Sequence, residues 1–440
     1  MLLTPYTTYY KESNGDIILF NWMNNESVVL FEKKHPVYNF IENGFFPSNI
    51  DSEYKDDIDY LIEKNFLYED GGLYPANEVP LESSDILRLI LLPSGYACNL
   101  SCVYCYEDHD THDRMGDEHI RRIILLCKKS NAKLIHLDYF GGEPLLNITF
   151  IENLAEEMRK EGIPFFASAT TNATLITEYV LDRLYNSGLR SFQITLDGPE
   201  LLHNNLRRSL NEKFNSFTKV VGALKTIQES NFKISVVVRT NANETLLKNE
   251  NLLPYLDTIT STIPVSDKRF SFLIKPIGDY ASANNKQNDG HSYCKHDKTS
   301  FVVSSLENEL QKLGYTLTFG QMLAQAGGLA CYAGSSNCVV IGTDYSIYKC
   351  TVAFEDPINK VGFLDVSGDM ILNENYALWT KNFSDGECYF CFMKRTCKGK
   401  GCPLNNIKKN KKICSPMKYN SMEATRKVFT YLDSLEENCE

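Results

Sequence analysis

Apolar and polar positions follow two different rhythms along the chain. From about residue 86, short continuous apolar runs alternate with amphipathic stretches. The runs ILRLILLP, KLIHLDYFGGEP, PFFASATTN, SFQITLDGP, KISVVVRTNAN and RFSFLIKPIG have the length and β-branched content of buried strands. Between them, ITFIENLAEEMRKEG, LITEYVLDRLYNSG and FTKVVGALKTIQES repeat their apolar positions at helical spacing. Continuous apolar strands alternating with helices predict a parallel sheet. Six such units fall short of the eight that close a TIM barrel. The fold class predicted for residues 85–280 is therefore α/β, a partial (β/α)6 TIM-like barrel.

The flanks read differently. In residues 1–84, TTYYKESNGDIILFN places two β-prone runs around Asn14-Gly15, a hairpin signal. SVVLFEKKHPVYNFIENG and KDDIDYLIEKNFL follow with helical spacing, LYEDGGLYP reads as a second hairpin, and ANEVPLESSD as a linker. Residues 281–327 give a polar loop, ASANNKQNDGHSYCKHD, and a helix, SFVVSSLENELQKLG. Residues 328–440 have few long periodic segments before an amphipathic closing helix, YNSMEATRKVFTYLDSLEEN. No internal repeat is evident.

Composition narrows the function classes. A net charge of -11 over 440 residues argues against binding nucleic acid or anionic membrane. The N-terminus lacks a basic stretch followed by an apolar one, and no run reaches the ~18 to 20 apolar residues of a membrane span. The expected location is cytoplasmic. There, 14 cysteines point to metal or redox use rather than structural disulfides. They fall into groups: Cys98, Cys102 and Cys105; Cys331, Cys338 and Cys350; Cys388, Cys391, Cys397, Cys402 and Cys414. Cys127, Cys294 and Cys439 stand apart and read as small hydrophobes or idle thiols.

Cys98-x3-Cys102-x2-Cys105 comes directly after the first strand, where loops form the working face of such a barrel. A zinc site wants four ligands, and His109 and His112 lie in a polar loop that does not complete one cleanly. Three thiolates on a [4Fe–4S] cluster leave one iron open. This motif in this place resembles the radical S-adenosylmethionine (SAM) superfamily. The resemblance implies that the open iron is chelated by the amino and carboxylate groups of SAM. One electron then cleaves SAM to methionine and a 5′-deoxyadenosyl radical, which abstracts hydrogen from the substrate. It further implies that Gly141, Gly142, Glu143 and Pro144 hold the SAM amino group, and that Arg239 reaches its carboxylate. Tyr104 lies where the family contacts adenine. Thr171 and Asn172, Thr195 and Asp197, and Asn241 bring small polar groups to the same face.

The eight later cysteines match the number for two fully ligated clusters, though eight thiolates also suffice for two zinc ions. Their arrangement resembles the SPASM extension of radical SAM peptide and protein modifiers, so the C-terminal domain is expected to be a Cys-rich SPASM domain. That resemblance, not spacing, assigns Cys331, Cys338, Cys350 and Cys402 to one auxiliary cluster and Cys388, Cys391, Cys397 and Cys414 to the other. The cofactors implied are three [4Fe–4S] clusters and SAM. Two departures are visible: Tyr345 stands where the family usually has glycine, and one spacer is four residues rather than three. Full ligation implies electron conduits rather than substrate sites.

Residues 1–84 resemble the winged-helix-like recognition element of ribosomal-peptide-modifying enzymes, which binds a leader peptide as an added strand. The expected edge is GDIILFN or its neighbour, with Tyr9, Tyr10 and Phe20 lining the groove. The resulting expectation is a peptide maturase, a radical SAM oxidoreductase that installs a Cys thioether in a precursor peptide, with a carbon–carbon (cyclophane-type) crosslink as the alternative. Its partners would be the precursor peptide and an external one-electron reductant such as flavodoxin or ferredoxin. A sulfatase-type maturase fits less well, because such relatives carry an acid where this chain has Thr351 and lack the N-terminal module. The proton acceptor is unassigned, with Asp344, Glu355 and Asp356 as nearby carboxylates. A plain electron-transfer protein would need the cysteines but not Glu143 or Arg239.

Overall fold

The first predicted hairpin closes at Asn14-Gly15. The computed structural model describes residues 1–30, 32–47, 49–69, 85–107, 113–210, 213–279 and 293–436. After β1 (Leu2–Leu3), strands β2 (Thr7–Lys11) and β3 (Ile17–Asn21) pair antiparallel, and Gly15 turns the chain at φ 99°. β4 (Glu26–Leu30) then pairs with the other side of β3. The helical rhythm expected from residue 27 begins only at Pro36, because Val28 and Val29 are stiff β-branched residues that join the strand. Pro36 opens the helix Pro36–Asn43, and Gly44 ends it in the left-handed region. The helix Lys55–Glu63 forms as expected, and β5 (Leu67–Tyr68) returns to β1. GDIILFN is thus the central strand, not an edge: β3 is buried on both faces. Ile17 and Leu19 face Val37, Ile58 and Leu61, while Phe20 and Trp22 face Ala424 and Val428 of the C-terminal helix. Met1–Leu81, Phe319–Gly334 and Lys381–Glu440 together make one compact unit. The expected second hairpin beyond residue 69, the linker, the polar loop up to residue 292, His109, His112 and Cys439 lie outside the described residues.

The second unit is Glu82–Thr318 with Ser335–Thr380. The apolar runs become β6 (Ile86–Leu91), followed by a short β7 (Leu100–Cys102), then β8 (Leu134–Tyr139), β9 (Phe165–Thr171), β10 (Leu189–Thr195), a short β11 (Arg207–Ser209), β12 (Ser235–Ala242) and β13 (Phe270–Pro276). The six long strands lie parallel in the order β6-β8-β9-β10-β12-β13. Helices such as Ile148–Lys160 and Ser216–Glu229 connect them, the second capped by Asn215, whose Oδ1 accepts from Thr218 N at 3.0 Å. β14 (Cys338–Ile341) adds to β6 in parallel, so the sheet stays open. β15 (Ser346–Tyr348), β16 (Lys360–Leu364) and β17 (Met370–Leu372) extend it antiparallel. The expected 328–440 segment is therefore divided between the two units. Tyr345 adopts φ 63°, which explains why glycine suits this position. Its ring stacks 4.2 Å from His119 and lies 3.8 Å beneath the Arg122 guanidinium, contacts that offset the strain.

Candidate active site

Ends of all six parallel strands converge on one cavity of about 150 Å³. Its wall carries Cys98, Cys102 and Cys105 from the loop after β6, and Gly141 and Gly142 from the loop after β8. Thr171 and Asn172 end β9, Thr195 ends β10, Arg239 and Asn241 come from β12, and Tyr104 sits between the cysteines. The carboxyl edge of a parallel sheet is where such sites form, since the loops there are free to vary on a rigid frame.

The glycine pair also seats its loop on the cysteine loop. Gly142 N donates to Gly95 O at 3.2 Å, and Glu143 N to Ala97 O at 2.9 Å. A Cβ on Gly142 would meet Ala97 O at 2.3 Å, and Gly141 sits at φ 104° with Gly95 O just as close. Both glycines let the loop after β8 lie flat against the backbone leading to Cys98. Glu143 and Pro144 do not line the cavity. Glu143 is fully buried, and its carboxylate accepts from Leu145 N (3.0 Å), Thr171 Oγ1 (2.7 Å) and Asn172 N (2.7 Å). Burial raises its pKa, and these donors pull it back. Pro144 opens a short 3-10 turn behind it.

Tyr104 and Asp197 form a second layer. The Tyr104 hydroxyl donates to Asp197 Oδ2 and accepts from Arg207 Nη1 at 2.7 Å and Asn241 Nδ2 at 3.2 Å. Asp197 is wholly enclosed behind the wall and takes Asn241 N at 2.7 Å. Burial pushes it up, and Arg207 nearby pulls it down. Arg239 Nε donates to Asn241 Oδ1 at 2.9 Å, which aims its fork along the cavity.

Arg207 is the functional residue that sequence reasoning missed. It lies directly opposite Cys102 in the short antiparallel β7–β11 ladder and lines the cavity, nearly buried. Burial pushes the Cys102 thiol up to about 11, and the Arg207 cation is the largest force opposing it. The one available signal was the arginine pair ten residues after Asp197.

The three thiols fit a [4Fe–4S] cluster. They share one wall, and Cys98 Sγ already accepts from Leu100 N at 3.4 Å and Asn172 Nδ2 at 3.7 Å. A buried cation stands beside them to balance thiolate charge. Among the described residues, no three His, Cys, Asp or Glu side chains gather closely enough to hold a single metal ion.

In the other unit, Cys388, Cys391, Cys397 and Cys414 line a second, smaller cavity of about 30 Å³. Four thiols in one enclosed place suit a fully ligated cluster. Cys331 and Cys402 belong to that same unit, Cys338 and Cys350 to the barrel unit. Cys127 is buried in the helix Asp117–Lys129, away from these groups, as a small hydrophobe. Asp344 is held by Ser346 N at 3.0 Å and Asp356 caps a short turn at Ile358 N, so both are engaged locally; Glu355 is exposed. Among the described residues, no helix is long and apolar enough to cross a membrane.

Comparisons with known proteins agree with this geometry. Residues 92–259 match the model of the Radical SAM superfamily. The chain is 24% identical over 255 residues to the radical SAM cyclopropyl synthase TigE of Paramaledivibacter caminithermalis, a match covering 47% of this chain and 53% of that enzyme. It therefore spans about half of that relative's length. It is 24% identical over 352 residues to a cysteine-type anaerobic sulfatase-maturating enzyme of Clostridium perfringens, covering 72% of this chain and 88% of the other. Among solved structures, anSMEcpe with bound AdoMet and Cp18Cys peptide superposes with a TM-score of 0.60 at 19% identity, over 81% of this chain and all of that one. SuiB of Streptococcus suis bound to the precursor peptide SuiA superposes with a TM-score of 0.50 at 17% identity, over 93% and 97%. The three cysteines and the cavity at the strand ends fall within, or close against, the part of the chain that matches the Radical SAM superfamily, residues 92–259.

Proposed function

We propose that the protein modifies a ribosomally made precursor peptide by hydrogen abstraction, joining a peptide Cys sulfur to a carbon of an acceptor residue. The observation that carries the chemistry is the meeting of Cys98, Cys102 and Cys105 with two arginines in one cavity at the strand ends. When bound, a reduced [4Fe–4S] cluster supplies the electron that splits SAM and so the radical that attacks the substrate. Around it, the chain's own residues hold and orient. Arg207 and Arg239 offer fixed cations to the SAM carboxylate, and the Gly141-Gly142 backbone lies flat enough to admit the amino end. Tyr104, locked by Asp197 and Arg207, supports the adenine side. Auxiliary clusters at Cys331, Cys338, Cys350 and Cys402, and at Cys388, Cys391, Cys397 and Cys414, are carried from the family resemblance.

A peptide partner is supported by the N-terminal sheet. β4 is an edge strand, and Val28, Val29 and Leu30 share a groove of about 480 Å³ with Tyr54 and Tyr60 beside the helix Lys55–Glu63. A leader segment adding to β4 would satisfy its free backbone edge. Relatives point the same way: SuiB was solved on a precursor peptide, and anSMEcpe on a Cys peptide. The sulfatase-maturase match, 88% of that relative's length, favours a second reading, oxidation of one Cys or Ser in a protein substrate.

The test uses anaerobically reconstituted full chain with dithionite and SAM. About twelve irons per chain with 5′-deoxyadenosine released is the expected result. Incubated with a Cys-containing precursor peptide, the enzyme should remove two hydrogens and one alkylatable thiol. A hydrogen loss that spares the thiol would favour a carbon–carbon bond, and oxidation of a sulfatase-derived peptide the second reading. No iron and no cleavage from folded protein would overturn the proposal.

A further inference from the structure

Each sulfur of the four-cysteine centre faces one N–H donor, and the donors are of two kinds. Cys391 and Cys397 accept from backbone amides two residues on, Met393 and Gly399. Cys388 and Cys414 instead face lysine ammoniums: Lys412 Nζ lies 3.6 Å from Cys388 Sγ, and Lys418 Nζ 3.9 Å from Cys414 Sγ. Neither lysine dangles in solvent. Their side chains are 13% and 23% exposed, and both line the cavity. Two carboxylates aim them. Asp385 and Glu387 accept from Lys412, and Glu387 also accepts from Lys418 at 3.2 Å. Asp385 is itself fixed by capping the turn at Glu387 N and Cys388 N. The surroundings are basic: residues 381–420 hold ten Lys and Arg against two Asp and Glu, in a chain of net charge -11.

Hydrogen bonds and charge at thiolate sulfurs are levers on the potential of an iron–sulfur centre. A charged donor stabilises the more negative, reduced state more than a neutral amide does. We infer that Lys412 and Lys418 are positioning residues that raise the reduction potential of the centre held by Cys388, Cys391, Cys397 and Cys414. The carboxylates Asp385 and Glu387 keep them on the sulfurs. The inference rests on the reading above that these cysteines hold a [4Fe–4S] cluster.

The experiment is an EPR-monitored redox titration of the reconstituted full chain, with iron and zinc measured on the same samples. Lys412→Gln/Lys418→Gln removes two charges while leaving amide donors. Iron should stay at the wild-type level and one cluster midpoint should shift negative. Lys412→Arg/Lys418→Arg, which keeps the charges, should hold the midpoint near wild type. If the double Gln variant loses iron, the single variants carry the test, each with part of the shift. Unchanged midpoints at full iron content would overturn the inference. Zinc in the wild-type centre would overturn both the inference and the cluster assignment, and would show before any variant is made.

Discussion

The two cysteine sites differ in one ligand and in almost everything that follows from it. Cys98, Cys102 and Cys105 stand on the wall of a cavity of about 150 Å³ that is rimmed by Arg207, Arg239 and hydrogen-bonding side chains. Cys388, Cys391, Cys397 and Cys414 surround about 30 Å³, with Lys412 and Lys418 turned onto the sulfurs themselves. In the first site Arg207 stands beside Cys102 and Arg239 lines the open part of the same cavity. In the second both lysines lie on the sulfurs, and the cavity between them is small. The first site has room for a ligand beside its thiols; the second has little.

The largest test of that contrast is removal of one thiol from each site. Cys102→Ala should lower SAM cleavage by at least about 10³-fold, whereas Cys391→Ala should leave cleavage measurable and stop product formation, read by 5′-deoxyadenosine and peptide mass side by side. Gly142→Ala comes next. A Cβ there strikes backbone oxygens of Tyr96 and Ala97, so the barrel unit should lose about 4 kcal/mol by denaturant unfolding. In the second site Gly401 is seated in the same way, with a Cβ there 2.3 Å from Ile413 O.

Acid should act on the barrel unit through a buried imidazole. Burial lowers the His136 pKa to about 4, while its ring stacks on Phe166 and bonds Ser168. An unfolded histidine takes its proton near pH 6.5, so as pH falls from there to about 4 the unfolded state gains a proton first and stability drops. His136 should account for about 3 kcal/mol of loss across that window. The readout is Trp379 fluorescence in a Trp22→Phe background, compared with and without His136→Gln. Trp379 belongs to the barrel unit and Trp22 to the other, so each reports its own. The smallest effect expected is Arg207→Met, which should weaken SAM binding about 30-fold, or about 2 kcal/mol, by equilibrium dialysis. Arg207→Lys should recover part of it.

Much of this was legible in the sequence, and the failures have physical reasons. Each of the six apolar runs overlaps one of the six parallel strands, because a strand buried on both faces leaves a continuous signal, though the runs overshoot the strand ends by up to five residues. The residues 27–30 misled, since Val28 and Val29 sit close to a true helix and period alone did not separate them from it. Arg207 escaped because it is placed by a three-residue ladder between segments a hundred residues apart, too short to leave a rhythm. β14 escaped for the same reason: four apolar residues gave no hint that they would extend the barrel sheet. Glu143 is the opposite case. Its motif was plain, but only coordinates reveal that all three of its visible bonds go inward.

The flat seating of the Gly141-Gly142 loop on residues 95–97 bears on what an emptied centre would leave behind. The bonds from Gly142 and Glu143 to the backbone of Gly95 and Ala97, and the ladder from Leu100 to Ser209, hold the chain on either side of Cys98 without using a single sulfur. Losing iron to oxygen would then strip the centre without unravelling its socket. An emptied socket that keeps its shape should take up iron and sulfide again without refolding.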